Sequence, residues 1–404
     1  MLIGFTIFSE LVYLFLFIKA KSLGLLDLHN NQHLFWVLTS LSILFIVYFL
    51  AYRYINWPKI QIKSLFLIII TLHLTFLLIP FLSSNDLYSY IFSTRINGLF
   101  GQNPYFTIYD SFPHDPLFHD LWTIWATQRT LYGPLFLHIG GLINYLGQNN
   151  LLFLSLSFKS LFIAANFASI LLVYKITQNK KAVFLFGANP LVIFELSGNS
   201  HTESLTLFFL LLSFYFYVRP VVGFLGLLAS VLVKYYSLIF MPFYLVKLKM
   251  AGLRPLLLAL TLGAVMVVAM YYPFWQGPQN FDYLLSYYNG QYTSHSLFIY
   301  LGEAIFGSYR LSFQVNTIIF FLVTIGLIYK FWTGKKTIQE LIFGCMLLYW
   351  TYLLTKSSLI LSWYLIMLIL LGSLCINWKQ YQRYGLAAIL FTSIYSLLIY
   401  YFVR

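Results

Sequence analysis

Apolar residues gather into runs along this chain. Three runs, at 2 to 18, 34 to 51 and 65 to 82, precede a polar interval from Ser83 to about Gln148. Ten more follow, at about 151 to 174, 182 to 198, 201 to 218, 221 to 233, 236 to 246, 255 to 272, 312 to 329, 338 to 355, 361 to 377 and 384 to 402. Most approach the ~20 residues that carry a helix across hydrocarbon. The pattern predicts an all-α, polytopic transmembrane protein with about 11 to 13 spans in a single module over residues 1 to 404. Two runs, 221 to 233 and 236 to 246, are short, and read either as two thin helices meeting near Lys234 or as one bent helix. The stretch from 133 to 147 reads as interfacial. No basic segment precedes the run at 2 to 18, so it reads as a first span rather than a signal peptide.

Composition sharpens this picture. Of the residues, 60% are hydrophobic and 9% charged, and the mean hydropathy is +0.81. The net charge of +13 comes from short basic clusters between apolar runs, the pattern of loops retained in the cytoplasm, and does not indicate a nucleic-acid partner. Most Lys and Arg, including Arg53, Lys180, Lys181, Lys335 and Lys336, fall on one side of the predicted spans. The interval 83 to 148 and a second one at 273 to 311 should then face away from the cytoplasm, giving a multi-pass protein of the cytoplasmic membrane. Asp86, Asp110, Asp115, Asp120, Glu203, Asp282 and Glu303 fall on or near that outer side, which marks where chemistry is to be sought. Both cysteines, Cys345 and Cys375, lie inside apolar runs, without disulfide or metal spacing.

Several short segments on the outer side carry candidate chemistry. Residues 80 to 106 read PFLSSNDLYSYIFSTRINGLFGQNPYF, where Pro80 helps to end the third span. Asp86 opens a segment whose Tyr88, Ile91, Phe92, Arg95 and Ile96 recur at helical spacing, as in an amphipathic helix lying on the membrane. Asp86 is either a helix N-cap or a functional carboxylate. In GANPLVIFELSGNSHTE, residues 187 to 203, Asn189-Pro190 breaks a helix within the membrane and Ser197 to Ser200 turns at the outer surface. Such breaks occur where protein shelters the backbone or a wet cavity is lined. His201 and Glu203 follow, either as helix-start residues or as a site, and Glu195 reads as a pairing across helices. Lys234 is either a snorkelling lysine or the partner of a lipid phosphate. Arg95 and Arg129 carry the same two readings. Tyr132-Gly133-Pro134, the stretch from Tyr271 to His295 and Ser362-Trp363-Tyr364 place rings on this face, for sugar stacking or as an interfacial belt. No P-loop, HExxH or dinucleotide-binding glycine motif is present.

Taken together, SSNDLYSYIFSTRINGLFGQNPY, LYGPLFLHIGG, NPLVIFELSGNSHTESL, the lysine of ASVLVKYYSLIFMPF and SWYLIMLIL resemble the GT-C superfamily of membrane glycosyltransferases. The likeness is greatest to polyprenol-phosphomannose-dependent alpha-(1→6)-mannopyranosyltransferases of the bacterial cell envelope, over about residues 80 to 245. The resemblance implies transfer of a hexose, mannose above all, from a polyprenyl-phosphate donor to an extracytoplasmic glycan or glycolipid hydroxyl, with inversion. It implies Asp86 as general base and Lys234, Arg95 and Arg129 as partners of the donor phosphate. For the substrates it points to Tyr88, Asn103, Tyr132, Asn199, His201, Glu203, Tyr235 and Trp363. It requires no metal or cofactor, the lipid-linked sugar being a co-substrate. Where related sequences read His-Asn-Asp, this chain has His201-Thr202-Glu203, a departure that bears on the identity of the sugar. Competing readings are a lipid-linked saccharide transporter, for which internal repeats are missing, and a glycan polymerase with a diphosphate-linked donor.

Overall fold

A computed structural model describes residues 1–22, 31–79, 82–288, 296–357 and 360–402. Pro80 and the part of the second polar interval from 289 to 295 lie outside these. Among the described residues seven helices are long and apolar enough to cross a membrane: Leu2–Lys19, His33–Tyr54, Leu151–Thr177, Leu253–Phe274, Tyr309–Thr333, Ile338–Thr355 and Gln382–Tyr401. An eighth crossing is the pair Lys180–Gly187 and Pro190–Gly198, bent by 48°. No strand occurs among the described residues. Other apolar runs become shorter helices, Ile62–Leu77, Glu203–Tyr215, Pro220–Val233 and Ser362–Cys375. At ~1.5 Å per residue none of these covers ~30 Å of hydrocarbon alone. Full-length crossings are thus fewer than apolar runs, and the difference consists of helices that stop short.

Local sequence explains where elements begin. The Asn150 side chain accepts a hydrogen bond from the Phe153 amide at 3.0 Å and opens Leu151–Thr177. Thr337 and Glu340 form a capping box at the head of Ile338–Thr355. Pro190 occupies the first turn after the break, where its missing N–H costs nothing, and the Asn189 side chain accepts from the Leu191 amide at 3.0 Å.

The 27 residues of Leu151–Thr177 hold the two ends of the molecule about 40 Å apart. At one end the basic loops meet. Lys180 Nζ donates to the carbonyls of Trp57 at 3.2 Å and Ile60 at 2.6 Å, Asn179 to Asn377 at 3.3 Å, and Tyr217 to the Lys336 carbonyl. The interrupted helices meet at the other end, and side chains serve the backbone groups left there. Lys159, buried inside Leu151–Thr177, donates to the carbonyls of Phe76 (2.8 Å) and Ile79, which replaces the helix partners those carbonyls lack. His73 contacts the Gly187 carbonyl at 2.9 Å and the Ser197 hydroxyl at 2.6 Å, tying Ile62–Leu74 to the break.

On this end the polar interval folds into a subsidiary core. Asp86–Gly98 is helical, but nearly all of Leu87 to Ile96 is buried, so it does not lie on a membrane with one wet face. It packs on Pro134–Gly147 so closely that a Cβ on Gly98 would stand 2.2 Å from the Gly141 carbonyl oxygen. Tyr109, Leu117, Leu121 and Ala126 from the loop complete this core. Arg95 belongs to it, which corrects its assignment as a phosphate ligand. Its guanidinium is fully buried, forms two 2.6 Å bonds to Asp115, and donates also to Asn149 at 2.5 Å and to the Gln148 carbonyl. These bonds hold Asp115 below the usual carboxylate range although burial alone pushes it up. Gly133 is similarly constrained: its amide donates to the Val233 carbonyl at 2.9 Å, and a Cβ there would lie 2.1 Å from the Leu232 oxygen.

Two outcomes follow from this packing. Asp115→Ala strands the Arg95 charge and should destabilise the protein by about 3 to 5 kcal/mol, seen as a fall in the thermal unfolding midpoint of the detergent-solubilised chain. Gly133→Ala pushes the Tyr132 segment off the end of Pro220–Val233 and should lower the same midpoint by about 1 to 3 kcal/mol equivalent; an unchanged midpoint would contradict the contact.

Candidate active site

A cleft of about 880 Å³, its open mouth included, is lined by Asp86, Tyr90, Trp125, Leu131, Tyr132, Lys234, Tyr236, Tyr349, Tyr352, Ser357, Leu361, Trp363 and Tyr364. The walls are aromatic, with a carboxylate and an ammonium as charged groups among them.

Asp86 is the first residue of its helix. Its amide is served by Ser84 Oγ at 3.3 Å, and its carboxylate lies 3.6 Å from His201 Nδ1, with the side chain 15% exposed. Burial pushes the carboxyl above its ordinary range; the nearby charges of His201 and Lys234 work against this, and those of Glu203 and Glu195 add to it. A carboxylate of raised proton affinity at a cleft wall is suited to taking up a proton.

Lys234 follows the last turn of Pro220–Val233 in extended backbone, φ −152° and ψ 127°, before the tight turns of Tyr235–Phe240. The break that looked ambiguous in sequence is therefore two short helices with Lys234 between them. Its ammonium is 2.5 Å from Glu203 Oε1 and 4.7 Å from the centre of the Tyr364 ring. Glu203 is buried behind it, and Glu203 Oε2 has no hydrogen-bond partner among the described residues.

His201 is fully buried at the end of the interrupted crossing. The turns of Ile193–Gly198 are π-helical, and Ser200 adopts a left-handed φ of 64°, which brings Glu195 and His201 onto one side. His201 Nε2 is 3.0 Å from Glu195 Oε2, Nδ1 is 3.0 Å from the Tyr90 hydroxyl, and the ring stacks on Trp363 at 3.9 Å and 23°.

Tyr132 and Trp363 line the cleft beside Asp86 and Lys234. The remaining expected residues stand elsewhere. Arg129 is exposed on the loop, 5.9 Å from the Phe106 ring, and does not line the cleft. Tyr88 packs into the subsidiary core. Asn103 clips two loops together, donating to the Phe274 carbonyl at 2.6 Å. Asn199 has its hydrogen-bonding capacity filled: its oxygen accepts from the amides of Leu82 and Ser83, and its nitrogen donates to Ser83 Oγ and Glu195 Oε2. It is a clamp on the segment leading to Asp86. Tyr235 sits in a tyrosine cluster, its hydroxyl 2.9 Å from that of Tyr271. The second polar interval reaches the first through Tyr283, whose hydroxyl donates to Gln128 at 3.0 Å.

Sequence reasoning missed Glu195 as part of the site, and missed Tyr349 and Tyr352. The two tyrosines are three apart in an apolar run, on one helical face, and only the fold directs that face to the cleft. Among the described residues no group of three or more His, Cys, Asp or Glu side chains is arranged to hold a metal ion.

No curated protein and no solved structure matches the chain. Residues 17–250, more than half of it, match the family model described as alpha-(1→6)-mannopyranosyltransferase, N-terminal domain. This segment supplies Asp86, Tyr90, Tyr132 and Lys234 of the cleft. With that match over a polytopic helical scaffold, the chain belongs to the alpha-(1→6)-mannopyranosyltransferase family and is a membrane mannosyltransferase.

Proposed function

We propose that this mannosyltransferase takes its sugar from a polyprenyl-phosphate donor and passes it, with inversion, to a hydroxyl of a glycan or glycolipid outside the cytoplasm. The observation that carries the reading is the placement of Asp86 and Lys234 in one aromatic cleft at the end of the molecule away from the basic loops. Positive loops are retained in the cytoplasm, so the cleft faces the opposite side.

Asp86 is the general base: it removes the proton of the acceptor hydroxyl as the oxygen attacks the anomeric carbon. The bond from that carbon to the phosphate oxygen breaks, and the lipid phosphate leaves as an anion. Lys234 offsets the charge that develops there. One of its three N–H donors is engaged by Glu203, which fixes the ammonium while leaving donors for phosphate oxygens. Trp363 and Tyr132 offer ring faces to the C–H side of the sugar.

Asp86→Asn should lower transfer from polyprenyl phosphomannose to an acceptor glycan by at least ~10²-fold, with donor binding retained; full activity would sink the assignment. The pH response has a definite sign. Because the folded protein holds the Asp86 proton more tightly than an ordinary carboxylate of 3.8, transfer rises with pH through a midpoint above that value. Stability moves oppositely, since the folded state binds more protons than the unfolded one in this window and is weakened as pH rises through it. Asp86→Asn should therefore unfold at or above the wild-type midpoint at neutral pH, measured by thermal denaturation.

A further inference from the structure

Glu195 and His201 are not accounted for by donor or acceptor binding. Neither lines the cleft, both are fully buried, and Glu195 collects donors as an ionised carboxylate does. Oε2 accepts from Asn199 at 2.9 Å, and Oε1 accepts from the hydroxyls of Ser362 and Tyr400. A carboxylate so provided for, at an interrupted crossing, is out of place unless it serves a site.

The geometry points to a proton relay: we infer that the Glu195–His201 pair receives, at His201 Nδ1, the proton that Asp86 takes from the acceptor. This rests on the reading of Asp86 as base. His201 Nε2 lies 3.0 Å from Glu195 Oε2 without the alignment of a hydrogen bond; because that neighbour only accepts, the relay places the ring hydrogen on Nε2. In the neutral ring Nδ1 is then the acceptor. It takes the Tyr90 hydroxyl at 3.0 Å and faces Asp86 Oδ2 at 3.6 Å, a separation that closes to a hydrogen bond once Asp86 is protonated and charge repulsion with the lone pair is gone. In the transfer the Tyr90 hydroxyl releases the single lone pair of Nδ1, the Asp86 O–H bond breaks and the Nδ1–H bond forms; no electron is gained or lost. The imidazolium lies between the Asp86 and Glu195 carboxylates until the acceptor product has left; the proton then returns to Asp86, which lines the cleft, and passes from it to water at the cleft mouth. Charge favours this arrangement. Asp86, Glu195 and Glu203 are three buried or nearly buried acids, faced by Lys234, with Tyr90 and Tyr400 as neutral neighbours. A proton on His201 reduces the excess negative charge of the cluster. Both residues act through Asp86 and are positioning residues for the reaction.

The test needs no substrate at its first stage. The His201 ring stacks on Trp363, and a protonated imidazole quenches indole emission. Wild-type emission less that of Trp363→Phe, followed against pH in the full chain in nanodiscs, isolates Trp363. A pH-dependent quench is expected in wild type and none in His201→Gln. Asp86→Asn and Glu195→Gln each remove a negative charge beside the ring, and each should move the quench to lower pH by about one unit. A quench that stays in place in Asp86→Asn overturns the coupling. At the second stage, with polyprenyl phosphomannose and acceptor, His201→Gln should reduce kcat at least tenfold with KM for donor within about threefold, and its rise in rate with pH should come at higher pH than in wild type. A fall in kcat without that displacement would mean that His201 only holds the fold. Should wild type transfer no mannose from this donor, the proposed function fails, and the emission measurements still decide whether the dyad is coupled to Asp86.

Discussion

In hydrocarbon, a backbone group without a partner costs several kcal/mol, and the arrangement of this protein follows from how it meets that constraint. Helices are halted or unwound at one end of the molecule, at residues 75–79, 187–202 and 234–240, so carbonyl and amide groups are released where lipid cannot serve them. Side chains from neighbouring segments serve them instead: Lys159 for Phe76 and Ile79, His73 for Gly187, Asn199 for Leu82 and Ser83. Each of these bonds joins segments distant in sequence. The interruptions that create the cleft also bind its walls together.

Much of this was legible in the sequence. Apolar runs gave the helical crossings, Asn189-Pro190 gave the bend, and Lys234 marked a junction, left open between two short helices and one bent helix, because each rests on local chemistry that a linear string displays. Side-chain partners depend on three-dimensional proximity and were less visible. Arg95 has the spacing of an exposed helical cation, yet Asp115, twenty residues on, claims it inside a core of loop residues. Asn199 lies in a motif next to His201 and reads as a ligand, while its four hydrogen bonds make it a clamp. Glu195 read as a helix-to-helix pairing; π-helical turns, which no spacing rule anticipates, set it against His201.

The electrostatics of the cleft are layered. Asp86 and Lys234 stand at the wall, and directly behind them are His201 and Glu203, each in contact with its counterpart in front. Behind His201 comes Glu195, held by donors from the Ser362–Leu365 turn and the last helix. Acidic and basic groups thus alternate on going inward, which lessens the cost of placing several ionisable groups in one low-dielectric region. Trp363 covers the stack from the side, separating the imidazole from the cleft without breaking its line to Asp86.

The family match ends at residue 250, and the cleft does not. Asp86, Tyr90, Trp125, Tyr132, Lys234 and Tyr236 come from before that point, and Tyr349, Tyr352, Ser357, Leu361, Trp363 and Tyr364 from after it. Between the two sets run Leu253–Phe274 and Tyr309–Thr333, in each of which only 11% of the residues of the apolar stretch are buried and which tether one wall to the other with few packing demands of their own. Under the proposed roles, the reacting groups sit on the family-matched wall, and the aromatic wall facing them is the part that can be reshaped to a different cargo without re-engineering the chemistry.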